Sequence, residues 1–370
     1  MRERIENIEL SIRKISEKAR EQDKCVRFDI GQPSFDTPEH VKKAAADGIV
    51  EQKQGYTSVT GIEKLRKAIV EEEGLKQKTG PKNAELSKEN VMVATGGMGA
   101  IYSVFAAMLD SNKEAVFNDP CWGPYKLMSE VNGNQWTQVE YFDGEELRDE
   151  AKQEMKDAEL VVVNTPSNPT GRMLTEKQAK NIGKFCEEND VMLLSDEVYH
   201  RLNYGKTHYS PAAYCENSVV IGSVSKNHAM TGWRIGWVVG REDDIENFAK
   251  VARGATACPP KPSQIAALEA LENDSHVEEM RQVYEERRDL LVERMNELGW
   301  DFQMPEGAIY AFPEVKEDSW DFCLDMIEEG VAMVPGEPMG PESDQNVRIC
   351  FGSTTKEEIN KAFDILEEEL

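Results

Sequence analysis

Several polar or glycine-rich motifs in this 370-residue sequence could do chemistry, and each stands directly behind a short apolar run. Thr95-Gly96-Gly97-Met98-Gly99 opens a helical pattern. Its backbone N–H groups could close on an anion, with the helix N-terminus adding positive potential, although a purely structural turn reads the same way. It is neither GxGxxG nor a Walker A motif, which counts against dinucleotides and nucleoside triphosphates. Asn164-Thr165-Pro166-Ser167-Asn168-Pro169-Thr170-Gly171 is by itself ordinary turn chemistry. Ser195-Asp196-Glu197-Val198-Tyr199 places a carboxylate where it could cap a helix or bind a metal. Ser223-Val224-Ser225-Lys226 offers an amine that in isolation reads as a surface lysine, and Thr231-Gly232-Trp233-Arg234-Ile235-Gly236-Trp237 follows it.

The elements that must position these residues are legible as a pattern. Apolar, β-branched runs at 91–94, 115–117, 160–163, 191–194, 219–221 and 235–239 alternate with helical periodicity near 99–109, 124–131, 145–156 and 175–189. The pattern predicts an α/β fold, a three-layer αβα domain with a mostly parallel sheet covered on both faces. Ligands in such sheets collect at the carboxyl ends of the strands, where these motifs fall. After residue 260 the texture changes to a long charged helix near 276–298, short strands at 308–312, 331–334 and 347–350, and a last helix near 355–369 with Ile359, Phe363 and Leu366 on one face. This predicts a smaller α+β domain, joined by the N-terminal forty residues. The expected division is 46–270 for the large domain, and 1–45 with 271–370 for the small one. Pro259-Pro260-Lys261-Pro262 suits that boundary, and equally a helix start.

Taken together, an anion-binding turn, an Asp, a Tyr, an Asn, a Lys and an Arg form the inventory that pyridoxal 5′-phosphate requires. That cofactor needs a phosphate cradle, an acid for the pyridine nitrogen, hydrogen bonds to the phenolic oxygen and an amine for the aldehyde. At this point the sequence resembles the fold-type I aminotransferases, class I/II, of the aspartate aminotransferase superfamily. Gly31-Gln32-Pro33-Ser34-Phe35-Asp36-Thr37-Pro38, Tyr56 with Gly61, Asn168-Pro169-Thr170-Gly171, Ser195 to Tyr199, Ser223 to Gly236 and Val347-Arg348 carry the resemblance, in family order across nearly the whole chain.

The resemblance implies a pyridoxal-phosphate-dependent transferase fold and a role for each residue. Lys226 would form the Schiff base (internal aldimine) with the cofactor and later move the α-proton. Asp196 would pair with the protonated pyridine nitrogen, whose pKa an ionised carboxylate raises. Tyr199 and Asn168 would hydrogen-bond the phenolic oxygen. Ser223, Arg234 and the amides around Gly97 and Met98 would hold the phosphate. Trp122 would stack on the ring, unless it is a core tryptophan. Arg348 would take the substrate α-carboxylate as a bidentate pair, which Lys could not reproduce, with help from the Gly31 N–H. Tyr56 would reach the phosphate in a neighbouring subunit and so imply a homodimer with shared sites; as a surface tyrosine it would imply nothing.

The implied reaction is ping-pong transfer of an amino group from an L-amino acid to a 2-oxo acid, with 2-oxoglutarate the expected acceptor. Some aspartate-preferring relatives carry a lysine after the Gly-Gly pair, where this chain has Met98, so an apolar-leaning donor range is expected. C–S lyases, decarboxylating enzymes and aminocyclopropane-forming synthases share this constellation; the run Met230 to Gly236 favours transamination. A non-catalytic regulatory module of this fold would want an appended DNA-binding domain, for which 370 residues leave no room.

Seven scattered Cys without a CxxC pair speak against a zinc site and a disulfide framework, and for a reducing cytoplasm. The N-terminus, MRERIENIEL, is too polar for a signal peptide, and no apolar run is long enough to span a bilayer. A net charge of −26 disfavours nucleic acid and anionic membranes. Clusters such as Glu71-Glu72-Glu73 and Glu367-Glu368-Glu369 read as solvated helix faces. Adaptation to a salty cytoplasm is the sharper alternative, because screening would relieve the self-repulsion. On that reading, melting temperature and activity both rise from low to molar potassium chloride, and flat profiles exclude it.

Overall fold

The computed structural model describes residues 11–22, 24–75 and 86–370; the N-terminal decapeptide lies outside them. Seven strands form the main sheet: β1 (Val91–Thr95), β2 (Glu114–Asn118), β3 (Gln135–Val139), β4 (Leu160–Asn164), β5 (Met192–Asp196), β6 (Ser218–Ser223) and β7 (Ile235–Val239). Their spatial order is β1-β7-β6-β5-β4-β2-β3. All pairings are parallel except those of β7, which runs antiparallel to β1 and β6. The predicted three-layer α/β architecture is therefore present, with one reversed strand.

Period-two alternation sends the two faces of each strand into different cores. Met92, Ala94, Phe117, Leu194 and Ile221 pack under helices Gly96–Met108, Pro124–Asn132 and Glu242–Thr256. On the other face Val91, Val93, Val220 and Trp237 pack under helices Glu39–Glu51, Glu63–Leu75 and Lys261–Glu272. Val161, Val163 and Leu193 meet helices Asp149–Lys156 and Glu176–Asn189.

β3 has no counterpart among the apolar runs read from the sequence. It is an edge strand, Gln-Trp-Thr-Gln-Val, with four of its five residues exposed or half-buried, so it carries no continuous apolar run, unlike the covered edge strand β1. The helix expected near 145–156 starts later, at Asp149, because Glu146–Leu147 pairs with Phe142–Asp143 as a short hairpin. The run at 331–334 splits. Val331–Ala332 pairs in parallel with Val26–Arg27, while Val334–Pro335 pairs with Val347–Arg348.

A further core joins Ile15, Ala19 and Phe28 to Leu291, Tyr310, Ile349, Phe363 and Leu366. The last helix, Lys356–Glu369, starts with a capping box from Thr355 and Glu358 and buries Ile359, Phe363 and Leu366. Helix Glu39–Glu51 lies instead on the sheet side, with Val41 and Ala45 in the core that holds Ala266. Pro262 stands in the first turn of helix Lys261–Glu272, the helix-start meaning of that proline cluster. Among the described residues, no helix is long and apolar enough to cross a membrane.

All five histidines of the chain gather behind the turn that carries Lys226. The His228 Nδ1 and His276 Nε2 atoms are 3.0 Å apart, and the His40 ring lies 5.7 Å from that of His276. His200 bonds Glu72 at 3.0 Å, and His208 bonds Glu197 at 2.7 Å. Burial, then the neighbouring His276 and Arg201, pushes the His228 pKa down from 6.5 to about 3. The unfolded chain takes up that proton near pH 6.5 while the folded chain refuses it, so stability is complete above that value and is lost as pH falls below it. From about pH 7 to 5 the loss from this residue is about 2 kcal/mol. Urea midpoints measured across that range should fall, and fall less steeply in His228→Gln; equal slopes for both proteins refute the assignment.

Candidate active site

The carboxyl ends of β1, β4, β5 and β6 open onto one cavity of about 870 Å³. Each predicted motif arrives there by its strand. β1 delivers Gly96-Gly97-Met98, the first turn of helix Gly96–Met108. β4 ends at Asn164, whose side-chain oxygen accepts from the Asn168 N–H at 2.7 Å and so fixes the Asn168 loop. β5 ends at Asp196, with Tyr199 three residues on. β6 ends at Ser223, which caps the short helix Val224–Asn227 carrying Lys226.

Arg234 reaches the same rim because β7 is reversed: its first residue, not its last, lies at this edge. The register sets Ile235 beside Thr95 and Gly236 beside Ser223. Arg234 itself is left-handed (φ 55°), and its guanidinium donates to the Thr231 carbonyl at 2.8 Å. A Cβ added to Gly96, itself at φ +75°, would stand 2.4 Å from Arg234 Nη2. The glycine is what lets the guanidinium lie against the helix start. The Ser223 hydroxyl accepts from the Ser225 N–H at 3.0 Å and sits 2.8 Å from the Ser225 hydroxyl. A cation, two hydroxyls and the unpaired N–H groups of a helix start thus converge on one place. That is an anion cradle.

Three buried ionisable groups share this cavity without a counter-charge among the described residues. The Lys226 amine donates to the Gly31 carbonyl, a neutral partner. Burial first, and then Arg348 and Arg234, push its pKa down from 10.5 to about 8, against the opposing influence of Cys350. Asp196 accepts from the Tyr125 hydroxyl at 2.5 Å and meets no cation; burial outweighs its hydrogen bonds and raises its pKa to about 6. Arg348 donates to Asn168 Oδ1 at 3.3 Å and to the Asp29 carbonyl at 3.2 Å, while its Nε is buried with no partner. Leaving three such groups unneutralised is costly unless a ligand completes them. Pyridoxal phosphate with an amino acid has the complementary set: a phosphate, a cationic ring nitrogen, an aldehyde and an α-carboxylate. The residues present fit that group.

The remaining predicted residues divide clearly. Gly31, Gly97, Met98, Trp122, Asn168, Tyr199 and Ser223 all line the cavity. Tyr56 does not: it is 92% exposed, on the segment between helices Glu39–Glu51 and Glu63–Leu75. Two tyrosines at the site were missed. Tyr125 meets Trp122 edge-to-face at 5.2 Å while holding Asp196, and its place three residues after Trp122 was the available signal. Tyr310 lies 3.0 Å from the Tyr199 hydroxyl and under the Arg348 guanidinium, 4.8 Å from its ring centre. Lying in a two-residue strand of the C-terminal region, it gave no sequence signal. Burial and Tyr310 push the Tyr199 pKa well above its ordinary value, so this phenol keeps its proton.

Comparison with known proteins agrees with the geometry. Residues 23–366 match the family aminotransferase class I and II. An aspartate aminotransferase of Bacillus subtilis is 34% identical, over 91% of this chain and 87% of its own length. An aromatic-amino-acid aminotransferase of Thermococcus litoralis is 34% identical, over 97% of this chain and 95% of its own length. The solved structure of an aspartate aminotransferase from Thermus thermophilus with maleate superposes with a TM-score of 0.92 at 31% identity, covering 100% of this chain and 99% of that one. The chain belongs to the class I and II aminotransferases, pyridoxal-phosphate-dependent transaminases of fold type I.

Proposed function

We propose that this enzyme passes an amino group from an L-amino acid to 2-oxoglutarate in a ping-pong cycle, donor and acceptor using the same cavity in turn. The observation that carries this reading is the triad of buried, unneutralised groups, Lys226, Asp196 and Arg348, around one space. Bound pyridoxal phosphate supplies an aldehyde for amines and a protonated ring that withdraws electrons from the substrate Cα.

Arg234, Ser223 and the N–H groups of Gly97 and Met98 would hold the phosphate, with Trp122 beside the ring. Asp196, oriented by Tyr125, would take the ring nitrogen, whose positive charge would favour the ionised carboxylate. Tyr199 donates to the phenolic oxygen, because its own proton is held firmly, and Asn168 assists. Arg348 grips the α-carboxylate with a planar two-pronged guanidinium, supported by the Gly31 N–H. Lys226 holds the aldehyde. Its amine, which burial in the unliganded site pushes down to a pKa of about 8, could also take up and return the substrate α-proton.

Met98 supports an apolar-leaning donor range. It stands at the helix start facing the cavity, 43% exposed, and offers no charge to a second carboxylate. Tyr56, exposed on this chain, is free to enter the site of a second copy, which supports a homodimer with shared sites, and the free cysteines suit a reducing cytoplasm. The proposed division remains 46–270 and 1–45 with 271–370, with helix Glu39–Glu51 crossing that boundary on the sheet side.

Lys226→Ala should lower amino-group transfer by at least about 10³-fold with an unchanged far-ultraviolet circular dichroism spectrum; turnover that survives the change refutes the reading. In a donor panel followed by the visible absorbance of the holoenzyme, leucine, methionine, phenylalanine and alanine should react more readily than aspartate. A strong preference for aspartate overturns the assignment to Met98, and pyruvate and ammonia released without an acceptor would mark a lyase instead.

A further inference from the structure

Four cations line the cavity: Lys126, Lys226, Arg234 and Arg348. Three have work in the reading above, on the aldehyde, the phosphate and the α-carboxylate. Lys126 has none. It stands in the first turn of helix Pro124–Asn132, one helical turn beyond Trp122, half-buried on the wall that also carries Leu127. Its ammonium donates to the neutral side chain of Gln138 at 3.2 Å and lies over the Trp136 ring, 5.6 Å from its centre. It forms no ion pair with any described carboxylate, in a chain with 69 acidic and 43 basic residues. Asp119, whose own neighbours include Glu342 and Glu140, is near enough for Lys126 to hold down its raised pKa but is not bonded to it.

The platform beneath this ammonium is itself tied to the site. The Gln138 amide donates to the Met339 carbonyl at 2.6 Å and to Asp119 at 3.1 Å, so Gln138 is fixed with its oxygen turned to Lys126. Met339 lines the cavity with Pro338. The same cavity is lined by the apolar Met98, Ile101, Trp122 and Trp136, the last of these directly under the ammonium, while Glu130, one helical turn on from Lys126, lines it too. A charge-assisted hydrogen bond to a ligand gains strength in such surroundings. The same lining accepts an uncharged donor side chain, because nothing anionic is needed to satisfy a lysine that is still partly hydrated.

We propose that Lys126 receives the second carboxylate of a dicarboxylic 2-oxo acid, the acceptor class that includes 2-oxoglutarate. This rests on the aminotransferase reading and deepens it. Apolar donors use the Met98 wall, whereas the acceptor's distal charge is met from the facing helix. One cavity can thus discriminate for charge in one half of the cycle and tolerate its absence in the other.

The test uses the holoenzyme with phenylalanine as donor and two acceptors of equal chain length, 2-oxoglutarate and the monocarboxylic 2-oxopentanoate. The quantity read is the ratio of their kcat/KM values, internal to each protein and so insensitive to any general loss of activity. In Lys126→Met the ratio should fall at least tenfold, chiefly through a higher KM for 2-oxoglutarate, a loss at the lower end of what a hydrogen bond to a charged group contributes. Lys126→Arg should keep most of it. Raising the ionic strength should erode the ratio in the wild type more than in Lys126→Met. A Lys126→Met ratio within twofold of the wild type, or a fall in Lys126→Arg as large as in Lys126→Met, overturns the proposal while leaving the aminotransferase reading intact. Failure of the wild type to transfer an amino group from any donor overturns both.

Discussion

Lys226 and Asp196, at the carboxyl rim of the main sheet, and Arg348, on the C-terminal strand Val347–Cys350, are buried around one cavity with only neutral partners, and much of the structure exists to hold them so. Burial, reinforced at Lys226 by Arg348 and Arg234, moves Lys226 toward its neutral amine and Asp196 toward its neutral acid, with displaced pKa values of about 8 and about 6. An internal Lys–Asp pair would restore both to ordinary behaviour and remove the site's affinity for a ligand. The fold avoids that pairing by bringing the two residues in on the parallel neighbours β5 and β6 and turning their side chains to different partners, Tyr125 and the Gly31 carbonyl.

Reversal of one strand solves the companion problem of the phosphate. A parallel strand between β1 and β6 would present its last residue to the cavity and carry Arg234 to the opposite edge. Running β7 backwards puts the residue before it at the rim, next to the helix start that follows β1. Backbone contact there is close: a Cβ on Gly236 would lie 2.4 Å from the Gly97 nitrogen. The anion cradle is thus a property of three strands in register, and the helix N-terminus is only one part of it.

The C-terminal region contributes through Arg348 and Tyr310, which stack on each other across the short strands Val347–Cys350 and Tyr310–Ala311. The Asp29 carbonyl that receives Arg348 belongs to a segment anchored by its own side chain, to Ser16 at 2.7 Å and to Arg27 at 2.7 and 2.8 Å. The N-terminal helix therefore bears on the residue that grips the substrate carboxylate. The histidine array links the back of the Lys226 turn to helices Glu39–Glu51 and Ser275–Glu297, His228 meeting His276 at 3.0 Å and the His40 ring lying beside that of His276.

The sequence by itself determined the alternation of apolar strands and helices, and hence the sheet, because the burial of both faces demands long apolar runs at each central strand. It also determined which polar residues follow those strands, so the cavity-lining set from Gly31 to Arg348 was legible as motifs. The edge strand β3 was not, since its partly exposed residues carry no continuous apolar run. Tyr125 and Tyr310 were not, since an aromatic at helical or strand spacing reads as core until its hydroxyl is seen to face Asp196 or Tyr199. Tertiary structure alone decided that Lys126 joins the cavity and has no acid to pair with. Pairing depends on distances between residues remote in the chain, here Lys126 on its helix, Gln138 on β3 and Met339 far along the chain. No local pattern encodes such distances.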